Sequence, residues 1–304
     1  MPTYNDDRYL GLAIESILNQ TFTNYELIIV DDCSSDNTQE VLLQYQNRDS
    51  RIKIFRNQKN LGRAGARNRA LQENPTGKYI AIMDSDDLSL KNRFKEQIKY
   101  LDEYTEIAAV GTQVINIDEN GHPTKEQTYL PLTNASLVWT MLYSVPFCNP
   151  SVMMRSSMIT KIGKYKNACS VEDAEYWTRL VFVGKFANLP EAHLHYRMPS
   201  NRLKIRLNDW KIPLLEVSKS FIEKLIDSHV NMIQVEFIKA SIFLQENFIL
   251  SSKEVLNTMN LLIIILNRML EVKLISPNDK GELSNIILNQ FDTLLHYSSY
   301  FRSK

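Results

Sequence analysis

The stretch Tyr79-Ile80-Ala81-Ile82-Met83-Asp84-Ser85-Asp86-Asp87 constrains this chain more than any other, because an apolar run of strand length stops on three acids. A short apolar run bounded by polar residues reads as a buried strand. In an open α/β sheet ligands bind outside the carboxyl ends of the strands, so acids placed there meet a substrate instead of the core. Asp84 and Asp86, at alternate positions, can offer oxygens to one hard cation, Mg²⁺ or Mn²⁺, which keeps its remaining positions for water and phosphate. The plainer alternative is that Asp87 or Ser89 caps the helix that follows.

The neighbouring segments repeat this design. Glu26-Leu27-Ile28-Ile29-Val30 is a second short apolar run, and it too ends on acids, Asp31 and Asp32; Ser34, Ser35 and Asp36 then cap a helix carrying Val41, Leu42 and Tyr45. Asn5 to Asp7 start an earlier helix with Leu10, Ile14, Ile17 and Leu18 on one face. Ile52 to Phe55 is a third strand, and Asn60-Leu61-Gly62-Arg63-Ala64-Gly65-Ala66-Arg67-Asn68-Arg69 opens a helix rich in small residues. Strand and helix alternate, which predicts a doubly wound, mostly parallel sheet of the nucleotide-binding kind. The sheet is expected to turn mixed over Ala108 to Ile117 and Ser151 to Met154, with a helical stretch around Trp139 between them. Glu172 and Asp173 fall in the first turn of a helix that buries Trp177 and Leu180. A last strand pair is predicted over Phe186 to Leu189 and His193 to Met198. From Asp209 the period is helical, and breaks near Ser228, Ser251 and Pro277-Asn278-Asp279 predict four helices. The expected division is an α/β domain over residues 1–205 and an α-helical domain over 206–304.

Charge and cysteine content narrow the class. Lys plus Arg number 35 and Asp plus Glu 35, so no bulk charge draws nucleic acid to this chain. Cys33, Cys148 and Cys169 have no metal-like spacing and leave one unpaired in any disulfide scheme, which points to a reducing, cytoplasmic compartment. The longest apolar run, Leu261 to Leu266, lies between Asn260 and Asn267 and is too short for a membrane span. An EF-hand over Asp32 to Asp36 fails, since its glycine would be Asn37 and its closing acid Leu43.

Five features stand in one order: Pro2-Thr3-Tyr4-Asn5, Val30-Asp31-Asp32-Cys33-Ser34-Ser35-Asp36, the Asn60 to Asn68 turn, Asp84-Ser85-Asp86-Asp87, and Glu172-Asp173 before Trp177 and Arg179. Over residues 1 to about 200 this order resembles the family 2 glycosyltransferases of the GT-A fold. The resemblance implies a Rossmann-like mixed sheet with helices on both faces and an α-helical C-terminal extension. It also implies an inverting transfer of a sugar from a nucleotide donor, usually a uridine diphosphate sugar, to a glycan or lipid-linked acceptor in cell-surface polysaccharide synthesis. Asp86 would be the main metal ligand, with Asp84 nearer the ribose and metal-bound water. Asp32 would accept a base N–H, Tyr4 and Pro2 would flank the ring, and Arg67 and Asn68 would face the phosphates or ribose. Asp173 would be the base that takes the acceptor's proton. His193 and His195 lie where relatives place a further metal or diphosphate contact, although Met198 replaces the more usual histidine of that motif. Arg197 and Arg202 would cover the diphosphate from a loop.

The resemblance also implies an apolar strand ahead of Pro2, in the middle of the sheet, and Met1 stands at that strand's last residue. The expectation is a reading frame that starts further upstream, because without that strand two neighbours' ladder groups are exposed. The competing readings are a degenerate sugar-nucleotide binder or scaffold, a nucleotidyltransferase, and a glycosidase using Asp86 with Asp173. The C-terminal helices would close on the catalytic domain, pair with a second subunit or lie on a membrane surface.

Overall fold

Short β-branched runs set the first sheet. In the computed structural model, which describes residues 1–73, 75–167, 169–198, 200–242 and 250–300, Pro2–Thr3 (β1), Leu27–Asp31 (β2) and Ile52–Arg56 (β3) form a parallel sheet in the order β1-β2-β3. Helix Asp7–Leu18 (α1) buries Tyr9, Leu10, Ala13, Ile14 and Ile17, the stripe that its 3.6-residue period predicts. Thr38–Gln46 (α2) and Gly62–Gln72 (α3) complete the alternation.

The second sheet is mixed. Tyr79–Ala81 (β4), Leu88–Ser89 (β5), Ile107–Ile117 (β6), Met153–Arg155 (β7) and Lys185–Arg197 (β8) lie in the order β4-β7-β6-β8-β5. Only the β6 and β8 pair among them is parallel. Helices Arg93–Glu103 (α4), Asn134–Thr140 (α5), Ser157–Ile162 (α6) and Glu172–Leu180 (α7) connect the strands. Two expectations change here. The predicted strand pair over 186–198 is the single strand β8, whose register jumps from Leu189 opposite Thr112 to Ala192 opposite Gln113. Pro190 and Glu191 bulge out at that jump, which is why the sequence looked interrupted. Neither Asp87 nor Ser89 caps a helix, because Leu88 and Ser89 pair with β8 and α4 begins only at Arg93.

The chain forms two compact units, Met1–Leu132 with Phe147–Asn208, and Thr133–Pro146 with Asp209–Lys304. Both sheets belong to the first. The second holds α5 and most of four further helices: Ser200–Ile226 (α8), Met232–Ala240 (α9), Ser252–Glu271 (α10) and Lys280–Tyr300 (α11). Helix α8 starts ahead of the expected Asp209, since the polar run Ser200-Asn201-Arg202 carried no apolar stripe. Ser251 caps α10 with a reciprocal box to Glu254, as the break there predicted. Trp139 of α5 is fully buried and donates its indole N–H to Gln290 of α11 at 3.0 Å. No helix among the described residues is long and apolar enough to cross a membrane.

A cavity of about 750 Å³ lies between the two sheets of the first unit, lined by Leu27 and Ile28 of β2, Tyr79, Ile80 and Ala81 of β4, and Met1, Phe94 and Met153 among others. Strand β1 pairs with β2 and β4 with β7, so facing edges border this space. The Met1 ammonium donates to the Ile28 carbonyl at 2.8 Å, and burial lowers its pKa from 8.0 to about 5. The unfolded amine therefore takes a proton below about pH 8 that the folded one refuses until about pH 5, so stability falls as pH drops across that window. A chain extended ahead of Met1 by about five β-branched residues, which replaces the ammonium by an amide and can pair with both edges, is expected to raise Tm by several degrees. The gap should be widest near pH 5; an equal Tm for both chains at pH 5 and pH 8 contradicts it.

Candidate functional site

Strand β4 delivers the acids, and buried arginines hold them. Arg93, at the start of α4, is fully buried and donates through Nη2 to the carbonyls of Ile82 (2.8 Å) and Val152 (3.2 Å), tying the exit of β4 to the approach of β7. Burial pulls its pKa down to about 10. Arg197, at the end of β8, donates through Nε to the Asp86 carbonyl at 2.7 Å and through Nη1 to the Asp118 carbonyl at 2.8 Å. Its own backbone N–H donates to Asp87 Oδ1 at 2.8 Å. Arg197 is thus a buried strut behind the acids, and the expected loop position over a diphosphate is corrected, because β8 continues through residue 197 and sets its guanidinium over the Tyr9 ring. Arg202 falls in α8, and its side chain lies outside the described residues.

The three acids consequently differ. Asp87 is 1% exposed and turned inward, and burial together with the charges of Asp86 and Asp84 raises its carboxyl well above the usual range. Asp84 and Asp86 are half-buried. Between them Ser85 donates to Asp6 at 2.5 Å, which joins this loop to the turn after β1.

That turn interlocks with the tip of β2. Asn5, at φ 48°, accepts from Ser35 N–H at 2.8 Å and donates its own N–H to Ser34 Oγ at 3.0 Å. Asp31 accepts from Ser34 N–H at 2.9 Å and faces Arg56 at 3.5 Å. Asp36 accepts from Thr38 N–H at 3.0 Å and Asp7 N–H at 3.2 Å, so it orders the starts of two helices. Asp32 is buried and accepts from Asn57 Nδ2 at 2.7 Å, Gly62 N–H at 2.8 Å and Leu61 N–H at 2.9 Å, which anchors the start of α3. Pro2 lies in β1 half-buried, and Tyr4, 49% exposed, stands just past its end.

Helix α7 supplies the remaining candidates. Asp173 is half-buried in its first turn, with Oδ1 accepting from Ala174 N–H at 2.8 Å. Glu172 beside it is buried and ion-paired to Arg67 Nη1, and burial raises its carboxyl despite the opposing pull of Arg67. Arg67 Nη2 reaches Asp84 Oδ1 at 2.9 Å, so one guanidinium joins β4's acids to the start of α7. Those acids hold Arg67 above its usual value although burial alone would lower it. Burial pushes the Cys148 thiol well above its usual value, and the charges of Asp87 and Asp84 act in the same direction. Asn68 is turned away, into the chain: its amide donates to Tyr165 O at 2.9 Å and accepts from Tyr165 N–H at 2.9 Å. His195 sits opposite Leu88 in the β5 and β8 pair, and burial lowers both His193 and His195.

Two struts were not picked out from sequence. Arg93 had a readable signal, since it shares the buried stripe of α4 with Phe94, Gln97 and Leu101. Glu172 as an anchor had none beyond its place before Asp173.

Among the described residues no three His, Cys, Asp or Glu side chains are arranged to hold a metal ion by themselves. Half-exposed Asp84 and Asp86 nonetheless suit Mg²⁺ or Mn²⁺, which take one or two carboxylates and complete an octahedron with water and phosphate oxygens.

Comparison with known proteins gives the family and the fold. The family described as Glycosyl transferase family 2 matches residues 1–163. An uncharacterized glycosyltransferase of Methanocaldococcus jannaschii is 34% identical over 203 residues, 66% of this chain and 70% of that one. The UDP-Glc:alpha-D-GlcNAc-diphosphoundecaprenol beta-1,3-glucosyltransferase WfgD of Escherichia coli is 44% identical over 101 residues, 33% of this chain and 39% of that one. Among solved structures, S. aureus TarS 1-349 in complex with UDP-GlcNAc superposes with a TM-score of 0.60 at 18% identity, covering 99% of this chain and 90% of that one. The mannosyltransferase PcManGT from Pyrobaculum calidifontis, in complex with GDP-Man and Mn2+, gives 0.54 at 14% identity over 97% and 85%. At these identities the likeness establishes the glycosyltransferase fold alone.

Replacing Asp32 by Ala removes the acceptor of the buried Asn57 amide and of the Leu61 N–H at the start of α3, and leaves the Gly62 N–H with Asn60 Oδ1 alone. The expected cost is about 2 kcal/mol in urea unfolding; a loss below about 0.5 kcal/mol would show that the anchor is dispensable.

Proposed function

The chain belongs to glycosyl transferase family 2, and we propose that it moves a sugar, with inversion, from a uridine diphosphate donor to a glycan or lipid-linked acceptor hydroxyl during cell-surface polysaccharide synthesis. The observation that supports this reading is the bridge that Arg67 makes from Asp84, just past β4, to Glu172 in the first turn of α7, the residue before Asp173. Asp86 and Asp84 would hold Mg²⁺ or Mn²⁺. When bound there, the cation neutralises charge on the departing nucleoside diphosphate.

The protein's own residues do the rest. Tyr4 offers an exposed ring face for a base to stack on, beside the tip of β2. Asp32 already receives donors on both oxygens, so a base N–H would share one of them. Asp173, half-exposed in the first turn of α7, would accept the proton of the acceptor hydroxyl as that oxygen attacks the anomeric carbon opposite the leaving group. The diphosphoundecaprenol acceptor in the name of the Escherichia coli relative supports a lipid-linked acceptor. The uridine nucleotide bound in the TarS structure supports the donor class.

The test is release of uridine diphosphate from a panel of UDP-sugars with Mn²⁺ and mixed glycan and lipid-linked acceptors. Asp173→Asn is expected to lower kcat about 10²- to 10⁴-fold, the usual contribution of a general base. Asp86→Ala and chelation should each abolish turnover, with Mn²⁺ restoring the chelated wild type only. Equal turnover in wild type and both variants contradicts the proposal.

A further inference from the structure

A guanidinium near a nucleotide diphosphate invites assignment as a phosphate ligand, but the surroundings of Arg67 give it a different task. It is 7% exposed, and both terminal nitrogens are engaged inside the protein, Nη2 with Asp84 Oδ1 at 2.9 Å and Nη1 with Glu172 Oε1. Its Nε is buried without a hydrogen-bond partner. Glu172 is as deeply enclosed and has Arg63 Nε at 3.5 Å as its second cation.

The next residue repeats the grip. Asn68 clamps the backbone of Tyr165 with both ends of its amide, and the Tyr165 ring stacks on Tyr176 of α7 at 4.2 Å between centroids. Arg67 itself lies over the Tyr165 ring at 5.7 Å. Tyr176 is one helical turn beyond Asp173, so α3 holds the base-bearing end of α7 in two places, once by charge and once by stacking.

From this arrangement we propose that Arg67 is a positioning residue that fixes β4's acids relative to Asp173, and that Glu172 is its anchor, the first acid of the Glu-Asp pair holding the helix while the second does the chemistry. The inference rests on the transfer reading above. Its physical content is distance: a planar fork with donors on two sides can bridge two carboxylates held apart, whereas an ammonium is a single point charge. A misplacement of about 1 Å between reacting groups costs on the order of 10²-fold in rate.

The experiment measures kcat for transfer, UDP affinity by calorimetry with Mn²⁺, and urea midpoints for Arg67→Lys, Glu172→Gln, Glu172→Ala and the pair Arg67→Lys/Glu172→Ala, with Asp86→Ala alongside. Arg67→Lys is expected to lower kcat 10- to 100-fold while the Kd for UDP stays within threefold. Glu172→Gln keeps an oxygen for Arg67 and should stay within threefold of wild type, whereas Glu172→Ala should fall as Arg67→Lys does. The double variant should be no worse than the poorer single one, because both remove the same bridge. A Kd for UDP raised tenfold or more in Arg67→Lys with kcat kept would make Arg67 a donor ligand and overturn the proposal. A large loss in Glu172→Gln would make Glu172 chemically active and overturn it too. Should Arg67→Lys not fold, the Gln and Ala variants of Glu172 decide, since equal rates in the two remove the anchor. No release of uridine diphosphate by the wild type from any UDP-sugar in the panel would instead sink the transfer reading, whatever Arg67 does.

Discussion

Carboxylates gathered at the end of an apolar strand repel one another and resist burial, and the structure around Asp84, Asp86 and Asp87 answers that difficulty with three buried arginines from three different elements. Each acts differently. Arg67 from α3 pairs with carboxylates, Arg93 from α4 stitches backbone carbonyls ahead of the acids, and Arg197 from β8 braces the carbonyl of Asp86. Asp87 absorbs the crowding by turning inward on a backbone N–H, while Asp84 and Asp86 stay partly exposed. The acid tip is therefore a preorganised unit, as electrostatic catalysis requires.

The two strand tips depend on each other through short polar side chains. Ser85 holds Asp6, Asn5 holds Ser35, and Asp32 holds the start of α3, which in turn carries Arg67 toward Asp84. A nucleotide lying across these tips would meet a surface built from turns whose donors already have fixed partners. Such rigidity keeps reacting groups in register without an ordering cost on binding.

Much of this was legible in the sequence because strand tips are punctuated locally. The acids after β2 and β4, the Glu-Asp start of α7, and the caps and breaks of the C-terminal helices all announce themselves within a few residues. What stayed hidden depends on partners far along the chain. Asp32 gave no local sign that it also anchors a helix starting about 30 residues later. Arg197 looked like a ligand reaching outward, and Arg67 gave no sign of its pairing with Glu172, because an arginine in sequence does not announce the buried oxygens it will meet. Strand β8 was read as two because Pro190 cannot donate to a ladder, yet the bulge carries the pairing across it.

The most direct test of the central claim is a crystal structure with UDP and Mn²⁺, the ion located by its anomalous scattering. The account predicts one manganese peak about 2 Å from a carboxylate oxygen of Asp86, bridging to phosphate, with Asp173 facing the space beyond it. A manganese ion bound away from Asp84 and Asp86, or UDP seated on a different face, would contradict it.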